Sequence, residues 1–177
     1  MKKNRIRKIA VTLLIAMLLS LAFGTTTCTA ATKTTKATVT ATANTEKNKT
    51  INKIYKKLIA YKSKKGYTEG TPWGSSKKYI STGTRIIGYG CAAFVLKLSD
   101  KVYGSKPIKC IRSSFTYQSG DIVHFGKHGQ SHFVIILKAD DKTLTVAEGN
   151  YNSSVHWNRK ISVKDANKYV DYIWRRN

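Results

Sequence analysis

Cys91 and His132 are the side chains of this sequence whose types and settings best suit covalent catalysis. A cysteine becomes a nucleophile near neutral pH when its surroundings stabilise the thiolate and a base lies within hydrogen-bonding distance. Two glycines favour a tight turn directly before Cys91, and apolar residues then recur at helical spacing, at Phe94, Val95 and Leu98. The sequence therefore predicts a thiol at a helix N-terminus, where backbone N–H groups and the helix dipole favour an anion.

His132 is the predicted general base. It begins the apolar run 132–137, which is typical of a buried central strand, so its ring is expected at the rim of the core. A histidine that only packs is the alternative, and His124 and His128 are competing bases. The three histidines are four residues apart, a spacing that converges on a metal ion only within a helix. Glycines and strand-like flanks argue against a helix here, so no metal site is predicted.

Glu148 and Asn150 are the candidates for the group that orients His132. Strand alternation places Glu148 at the end of an inward-facing row that begins with Leu144 and Val146. A buried carboxylate needs a partner, and an imidazolium that it orients and stabilises would supply one. Asn150 can fill the same role or simply shape the turn in which it lies. The sequence leaves both open, with Glu148 preferred.

The first thirty residues have the composition of a secretory signal peptide. A cationic start precedes the apolar run 9–23, which is shorter than the ~20 residues of a membrane span, and small residues follow it. We predict a signal peptide over residues 1–30 and a protein that is secreted, extracellular or associated with the cell wall. A retained anchor and a lipoprotein acylated at Cys28 are the alternatives, although Thr25 stands where a lipoprotein signal carries a large aliphatic residue.

The strong positive charge favours anionic partners. The chain has 32 Lys and Arg against 9 Asp and Glu, a formal net charge of +23. Five of these positive charges lie in residues 1–30 with no acidic residue, which leaves +18 on the predicted mature chain. We expect peptidoglycan and anionic wall polymers as partners. No nucleic-acid motif is present, so no specific nucleic acid is predicted. Simple solubility and retention at the wall is the alternative interpretation.

Cys110 raises an alternative to the nucleophile hypothesis. After signal removal Cys91 and Cys110 are the only cysteines, and an oxidising compartment would allow a disulfide that closes a loop of roughly twenty residues. That bond would prevent nucleophilic attack by Cys91. The chain would then be a catalytically silent, cationic wall-binding module.

The pattern along the chain predicts an α+β protein with one catalytic domain over residues 51–177. Residues 31–50, rich in Thr, Ala and Lys, are predicted to be a disordered spacer. Helical spacing begins at Ile51 and predicts a helix up to Gly66, and a second helix runs from Cys91 to about Asp100. Strands are predicted over residues 122–125, 132–138, 144–148, 155–161 and 169–174.

The order of these motifs resembles the CHAP amidase/peptidase family, which belongs with the NlpC-like enzymes of the papain-like cysteine-peptidase superfamily. The likeness covers about residues 66–176, and its motifs are Gly90-Cys91-Ala92-Ala93-Phe94, Gly120-Asp121-Ile122-Val123, Ser131-His132-Phe133-Val134 and Glu148-Gly149-Asn150. The chain is also similar to secreted bacterial proteins in which Glu-Gly-Asn-Tyr-Asn precedes a Trp-x-Arg segment, here Trp157-Asn158-Arg159. NlpC-type enzymes usually have Asp-Cys-Ser where this chain has Gly-Cys-Ala.

The resemblance implies a papain-like fold, with N-terminal helices followed by an antiparallel sheet. It implies Cys91 as nucleophile, His132 as general base, and Glu148 with Asn150 as polar partners. Family members cleave amide bonds in peptidoglycan through an acyl-enzyme and need no cofactor.

Two aromatic residues complete the set of candidate site residues. Tyr89 is a candidate oxyanion donor beside the Cys91 backbone N–H, and Trp73 is a candidate for the substrate groove; either can instead be a packing aromatic. We expect a monomer with no membrane partner after signal cleavage.

Overall fold

The structure is a computed structural model that describes residues 32–126 and 131–177. The predicted signal peptide and His128 lie outside the described residues. The packed cores belong to the compact unit Val39–Asn177, and the unit Met1–Thr38 is described only from Thr32, at the start of the first helix. In the described part of the chain no helix is both long and apolar enough to cross a membrane.

Three helices and eight strands make up the described chain. In chain order they are α1 Thr32–Ile59, β1 Lys78–Ile80, β2 Ile87–Tyr89, α2 Cys91–Tyr103, β3 Lys109–Ile111, β4 Ile122–Phe125, β5 His132–Ala139, β6 Thr143–Tyr151, β7 Ser154–Ser162, α3 Val163–Tyr169 and β8 Val170–Arg175. Strands β1 and β2 form a hairpin, and the other six form an antiparallel sheet in the order β3-β8-β4-β5-β6-β7. The predicted α+β class is confirmed, and the arrangement is consistent with a papain-like fold.

The central strand β5 is buried on both faces, as its uninterrupted apolar sequence predicts. Ile135 and Leu137 face a core that contains most of α2 and the buried Leu58 of α1. Val134 and Ile136 face a second core, which α3 closes with its buried Ala166. The sheet is therefore packed on both sides, and the first residue of β5, His132, lies at its end.

Four strand predictions need only small changes of boundary, and β4 has the predicted bounds. The first helix differs more. The structure has α1 from Thr32, where the composition of residues 31–50 predicts a disordered spacer. Ala and Lys are good helix formers, so this segment can be helical without the apolar period on which the prediction relied. The helix also ends at Ile59 rather than Gly66, because residues 60–66 form successive turns.

Two irregularities in the β6–β7 hairpin determine which side chains meet. Val146 lies opposite Arg159 and Ala147 opposite Trp157, so Asn158 is an extra residue, and it has a positive φ of 62°. The register shifts again between Glu148 and Tyr151, near Asn150, whose φ is 61°. An extra residue in one strand reverses the face of the side chains that follow it.

Candidate active site

The turn before Cys91 is held from two sides. Gly90 has a φ of 52°, which glycine adopts without steric cost. Its N–H donates to the Lys77 carbonyl at 2.9 Å, and its carbonyl accepts from the Trp73 indole N–H at 2.9 Å. Helix α2 begins at the next residue, so Cys91 lies at the helix N-terminus, as predicted.

The half-buried Cys91 thiol is surrounded by hydrogen-bond donors. Burial by itself would raise the pKa of the thiol. The hydrogen bond from His132, the backbone N–H of Phe133 and the backbone N–H of Ala92 outweigh burial and hold the pKa below its ordinary value. A lowered pKa increases the fraction of thiolate, the reactive form of cysteine.

His132 links Cys91 to Glu148. Its Nε2 lies 2.6 Å from Glu148 Oε2, which leaves Nδ1 for the thiol. Burial by itself would lower the pKa of His132, but the hydrogen bonds and charges of Cys91 and Glu148 raise it to about 9. At neutral pH the ring is therefore protonated on both nitrogens, as imidazolium. The arrangement is that of a thiolate–imidazolium pair oriented by a carboxylate.

Glu148 is completely buried and has a second cationic partner, Arg159. The guanidinium donates from Nε to Oε1 and from Nη2 to Oε2, the latter at 2.8 Å. Burial would raise the pKa of Glu148, whereas the hydrogen bonds from Arg159 and His132 lower it below its ordinary value. The two oxygens are thus shared between two cations, which keeps a buried carboxylate ionised and fixed in orientation.

Asn150 takes a different position from the one that simple alternation predicts. Its positive φ accompanies the register shift after Glu148, and its side chain lies against Gly90, where an ideal Cβ would be 2.8 Å from Nδ2. Among the described residues the Asn150 amide has no hydrogen-bond partner. Glu148, not Asn150, is therefore the group that contacts His132, and the Asn150 side chain lies beside the nucleophile turn.

The structure separates the two aromatic candidates. Trp73 is 7% exposed and packs edge-to-face on Phe94, so it supports the turn from within the core rather than lining an open groove. Tyr89 is 54% exposed, two residues before Cys91, with the Lys78 ammonium 5.8 Å from its ring centre. Its ring is available at the surface, and its part in stabilising an oxyanion stays a prediction.

The competing residues lie elsewhere or have other partners. His124 is stacked between Phe133 and Tyr172, with ring centres 4.4 and 4.6 Å away, and it bonds Asp171 and Ser131. It packs rather than approaching Cys91. Within the described residues no group of three His, Cys, Asp or Glu side chains could hold a metal ion.

Cys91 and Cys110 are both free thiols, so the disulfide of the alternative hypothesis is absent from the structure. Cys110 is exposed on the edge strand β3, and β8 and β4 separate that strand from β5. Three interstrand spacings amount to about 14 Å, whereas a disulfide needs Cα atoms within about 7 Å. Cys91, which contacts the His132 end of β5, is therefore beyond reach without rearrangement.

Two residues near the site were not recognised as such from the sequence. Strand alternation places Arg159 on the face of Trp157, so the sequence gives it no part in the site. The extra residue Asn158 moves it to the face of Glu148. Tyr151 is 41% exposed, with its ring centre 6.1 Å from that of His132 and 4.9 Å from the Arg159 guanidinium. An aromatic residue in a turn gives no signal of this contact.

No protein-family model and no curated protein matches this chain. The solved structures similar to it include two of Ly7917. The crystal structure of Ly7917 is 16% identical with a TM-score of 0.45. The crystal structure of Ly7917 with the hydrolyzing product of MDP is 15% identical with a TM-score of 0.41. Each alignment covers 71% of this chain and 62% of that chain, so this chain spans less than two thirds of its neighbour's length.

Proposed function

We propose that the protein is a secreted cysteine amidase or endopeptidase that hydrolyses amide bonds in peptidoglycan. The observation that carries the proposal is the contact series in which Cys91 bonds His132 and His132 bonds the buried Glu148 at 2.6 Å. Nucleophile, base and orienting group are in hydrogen-bond contact, which is the geometric requirement for covalent acyl transfer.

The reaction follows from the protonation states of the site. The Cys91 thiolate attacks the amide carbonyl carbon. The oxyanion of the tetrahedral intermediate accepts hydrogen bonds from the Cys91 backbone N–H and from a second donor. His132 gives its proton to the amide nitrogen, so the C–N bond breaks and an acyl-enzyme remains. His132 then takes a proton from water, whose oxygen attacks the acyl carbon and releases the thiolate and a carboxylic acid. Glu148 stabilises the imidazolium at the start and end of this cycle.

The Asn150 amide is our candidate for the second oxyanion donor. It lies against Gly90, directly before the nucleophile, and its N–H₂ group has no hydrogen-bond partner within residues 32–126 and 131–177. Tyr89 is the alternative donor from the exposed side of the same turn.

Peptidoglycan as substrate rests on the resemblance to the CHAP family and on the net charge of the predicted mature chain, +23 less the five positive charges of residues 1–30, which favours an anionic polymer. Secretion rests on the composition of the first thirty residues.

The test is digestion of purified sacculi with mass spectrometry of the released ends. We expect new amino and carboxyl ends with the wild-type protein, none with Cys91→Ala, and nearly wild-type release with the matched control Cys110→Ser. Titration of the purified protein should find both thiols free. Release by Cys91→Ala, or equal loss in both variants, would contradict the nucleophile assignment.

A further inference from the structure

A second site lies at the opposite end of α2 from Cys91. A cleft of about 600 Å³ opens where the second half of α1 meets the end of α2. Its floor includes the apolar side chains of Ile51, Ile54 and Val102. From Cys91 to Tyr103 the helix rises about 18 Å, so the cleft is separate from the hydrolytic site.

The rim of this cleft is cationic. Four lysines line it, namely Lys47, Lys53, Lys57 and Lys106, and all four are exposed. Arg176 also lines it, but its charge is neutralised by Asp100 at 2.6 Å. No aspartate or glutamate is among the lining residues.

These lysines have no ionic partner in the part of the chain that the structure describes. Among the described residues none of the four forms a salt bridge, and Lys57 makes only a 3.5 Å contact with the Val102 carbonyl. The nearby Glu46 is engaged by Lys49 at 2.8 Å. Unpaired cations around a concave apolar floor attract an anion that also carries carbon surface.

The spacing of the lysines indicates a chain rather than a single ion. Along α1 the rise from Lys47 to Lys53 is about 9 Å, and from Lys53 to Lys57 about 6 Å. A linear polymer with regularly spaced charges can meet them in succession. Lysine binds phosphate as a point charge and does not require the planar geometry of a carboxylate pair.

We propose that this cleft binds a linear phosphodiester polymer with short polyol linkers. The phosphates contact the lysines, and the linkers cover Ile51, Ile54 and Val102. A nucleic acid fits less well because base binding requires free aromatic faces. The one aromatic in the lining, Tyr103, is half-buried, and its hydroxyl is held against the Gly120 backbone.

The test is fluorescence anisotropy of labelled poly(glycerol phosphate) with the full chain, at several salt concentrations. The test variant is Lys47→Gln/Lys53→Gln/Lys106→Gln. The matched control is Lys142→Gln/Lys160→Gln/Lys164→Gln, which removes equal charge from exposed lysines outside the cleft. Because all six side chains are exposed, both variants should keep the wild-type thermal melting curve.

We expect the cleft variant to bind at least about tenfold more weakly at low salt, and its plot of log affinity against log salt to be less steep by about 0.7 for each lost phosphate contact. The control should retain most of the wild-type affinity. Equal weakening of both variants would show that general charge, not the cleft, binds the polymer. Tighter cleft-dependent binding of a single-stranded DNA of equal charge would show that the partner class is wrong. Neither outcome depends on hydrolysis, so failure here leaves the proposed activity untouched.

Discussion

The four side chains from Cys91 to Arg159 alternate in charge as thiolate, imidazolium, carboxylate and guanidinium. Each inner member has two opposite charges beside it, which compensates for the desolvation of the buried Glu148. The series is also neutral as a whole. Removal of one member therefore changes the protonation of its neighbours as well as the contact itself.

Glu148→Gln tests the orienting role. The amide cannot match a carboxylate in stabilising the imidazolium, so the pKa of His132 should fall from about 9 and the alkaline limb of the pH–rate profile should move to lower pH. In a serine triad the comparable change costs about 10⁴-fold in turnover, and we expect a loss up to that size. The measurement is turnover on sacculi against pH, with circular dichroism to monitor folding.

Asn150→Gly is the companion variant, because glycine keeps the positive φ of 61° while removing the amide. If Asn150 only supplies an oxyanion donor, turnover should fall about 10²–10³-fold without a shift of the pH limbs. A nearly normal Glu148→Gln beside an inactive Asn150→Gly would reverse the two roles.

Arg159→Met removes the second cation from Glu148. Burial would then raise the pKa of the carboxyl with only His132 to oppose it, so the acid limb of the profile should move to higher pH. Arg159→Lys retains the charge without the two-point contact and should shift the limb less. If the acid and alkaline limbs of the pH–rate profile stay at their wild-type pH in both variants, Arg159 is a packing residue only.

At the scale of elements, two left-handed residues in the β6–β7 hairpin build the site. Asn158 brings Arg159 to the face of Glu148, and Asn150 carries its own side chain to Gly90. The bulges also explain why part of the site could not be predicted from sequence. His132 and Glu148 follow the period-two pattern of ordinary strands, so their approach was foreseeable. Arg159 does not follow the period-two pattern, because the extra residue Asn158 reverses the face on which it lies.

The short elements could not be predicted from the sequence either, because they have no apolar periodicity. Strands β1, β2 and β3 have three residues each, too few for a period. The seven-residue α3, which connects β7 to β8, has no apolar repeat of its own. The longer strands and α2 could be predicted because burial of one or both faces requires apolar residues at a regular spacing.

Gly90→Ala tests the link between α2 and the hairpin, with Gly104→Ala at the other end of the same helix as control. Both glycines have positive φ, 52° and 64°, with strongly negative ψ, so both variants incur backbone strain of about 1–3 kcal/mol. Only at Gly90 does the new Cβ meet the Asn150 amide, at 2.8 Å. We expect turnover to fall more than tenfold in Gly90→Ala and to stay near wild type in Gly104→Ala, measured at a temperature at which thermal melting shows both variants to be folded. Equal turnover in the two variants would contradict a role of this contact in the site.

At the scale of the whole molecule, the buried ion pair of Asp100 and Arg176 joins distant parts of the chain. Asp100 lies in α2, Arg176 follows β8, and the carboxylate also accepts hydrogen bonds from Tyr79, Ser81 and Thr82 near the hairpin. One carboxylate thus connects the helix that carries Cys91 to both the β1–β2 hairpin and the end of the sheet.

The pH dependence of stability follows from this carboxylate. Burial would raise the pKa of Asp100, but its hydrogen bonds, from the Thr82 N–H first, hold it below the ordinary value. A carboxyl group with a lowered folded-state pKa contributes stability above its unfolded pKa of about 3.9, and the contribution is lost as pH falls through the folded value. At pH 7 the contribution is therefore complete.

Asp100→Asn should accordingly lower the free energy of unfolding by about 3–5 kcal/mol at pH 7, because it leaves the Arg176 cation buried without its partner. The exposed Asp141→Asn, with the same change of charge, should stay within about 0.5 kcal/mol of wild type. Urea unfolding of the three proteins at pH 7 and below pH 4 provides the measurement. The difference in the free energy of unfolding between wild type and Asp100→Asn should become smaller as the wild-type carboxylate protonates. Asp141→Asn should have nearly the wild-type free energy of unfolding at every pH. A difference in the free energy of unfolding that is constant with pH would mean that Asp100 stabilises the fold by its shape and neutral hydrogen bonds. Its charge would then not contribute to holding the helix against the end of the sheet.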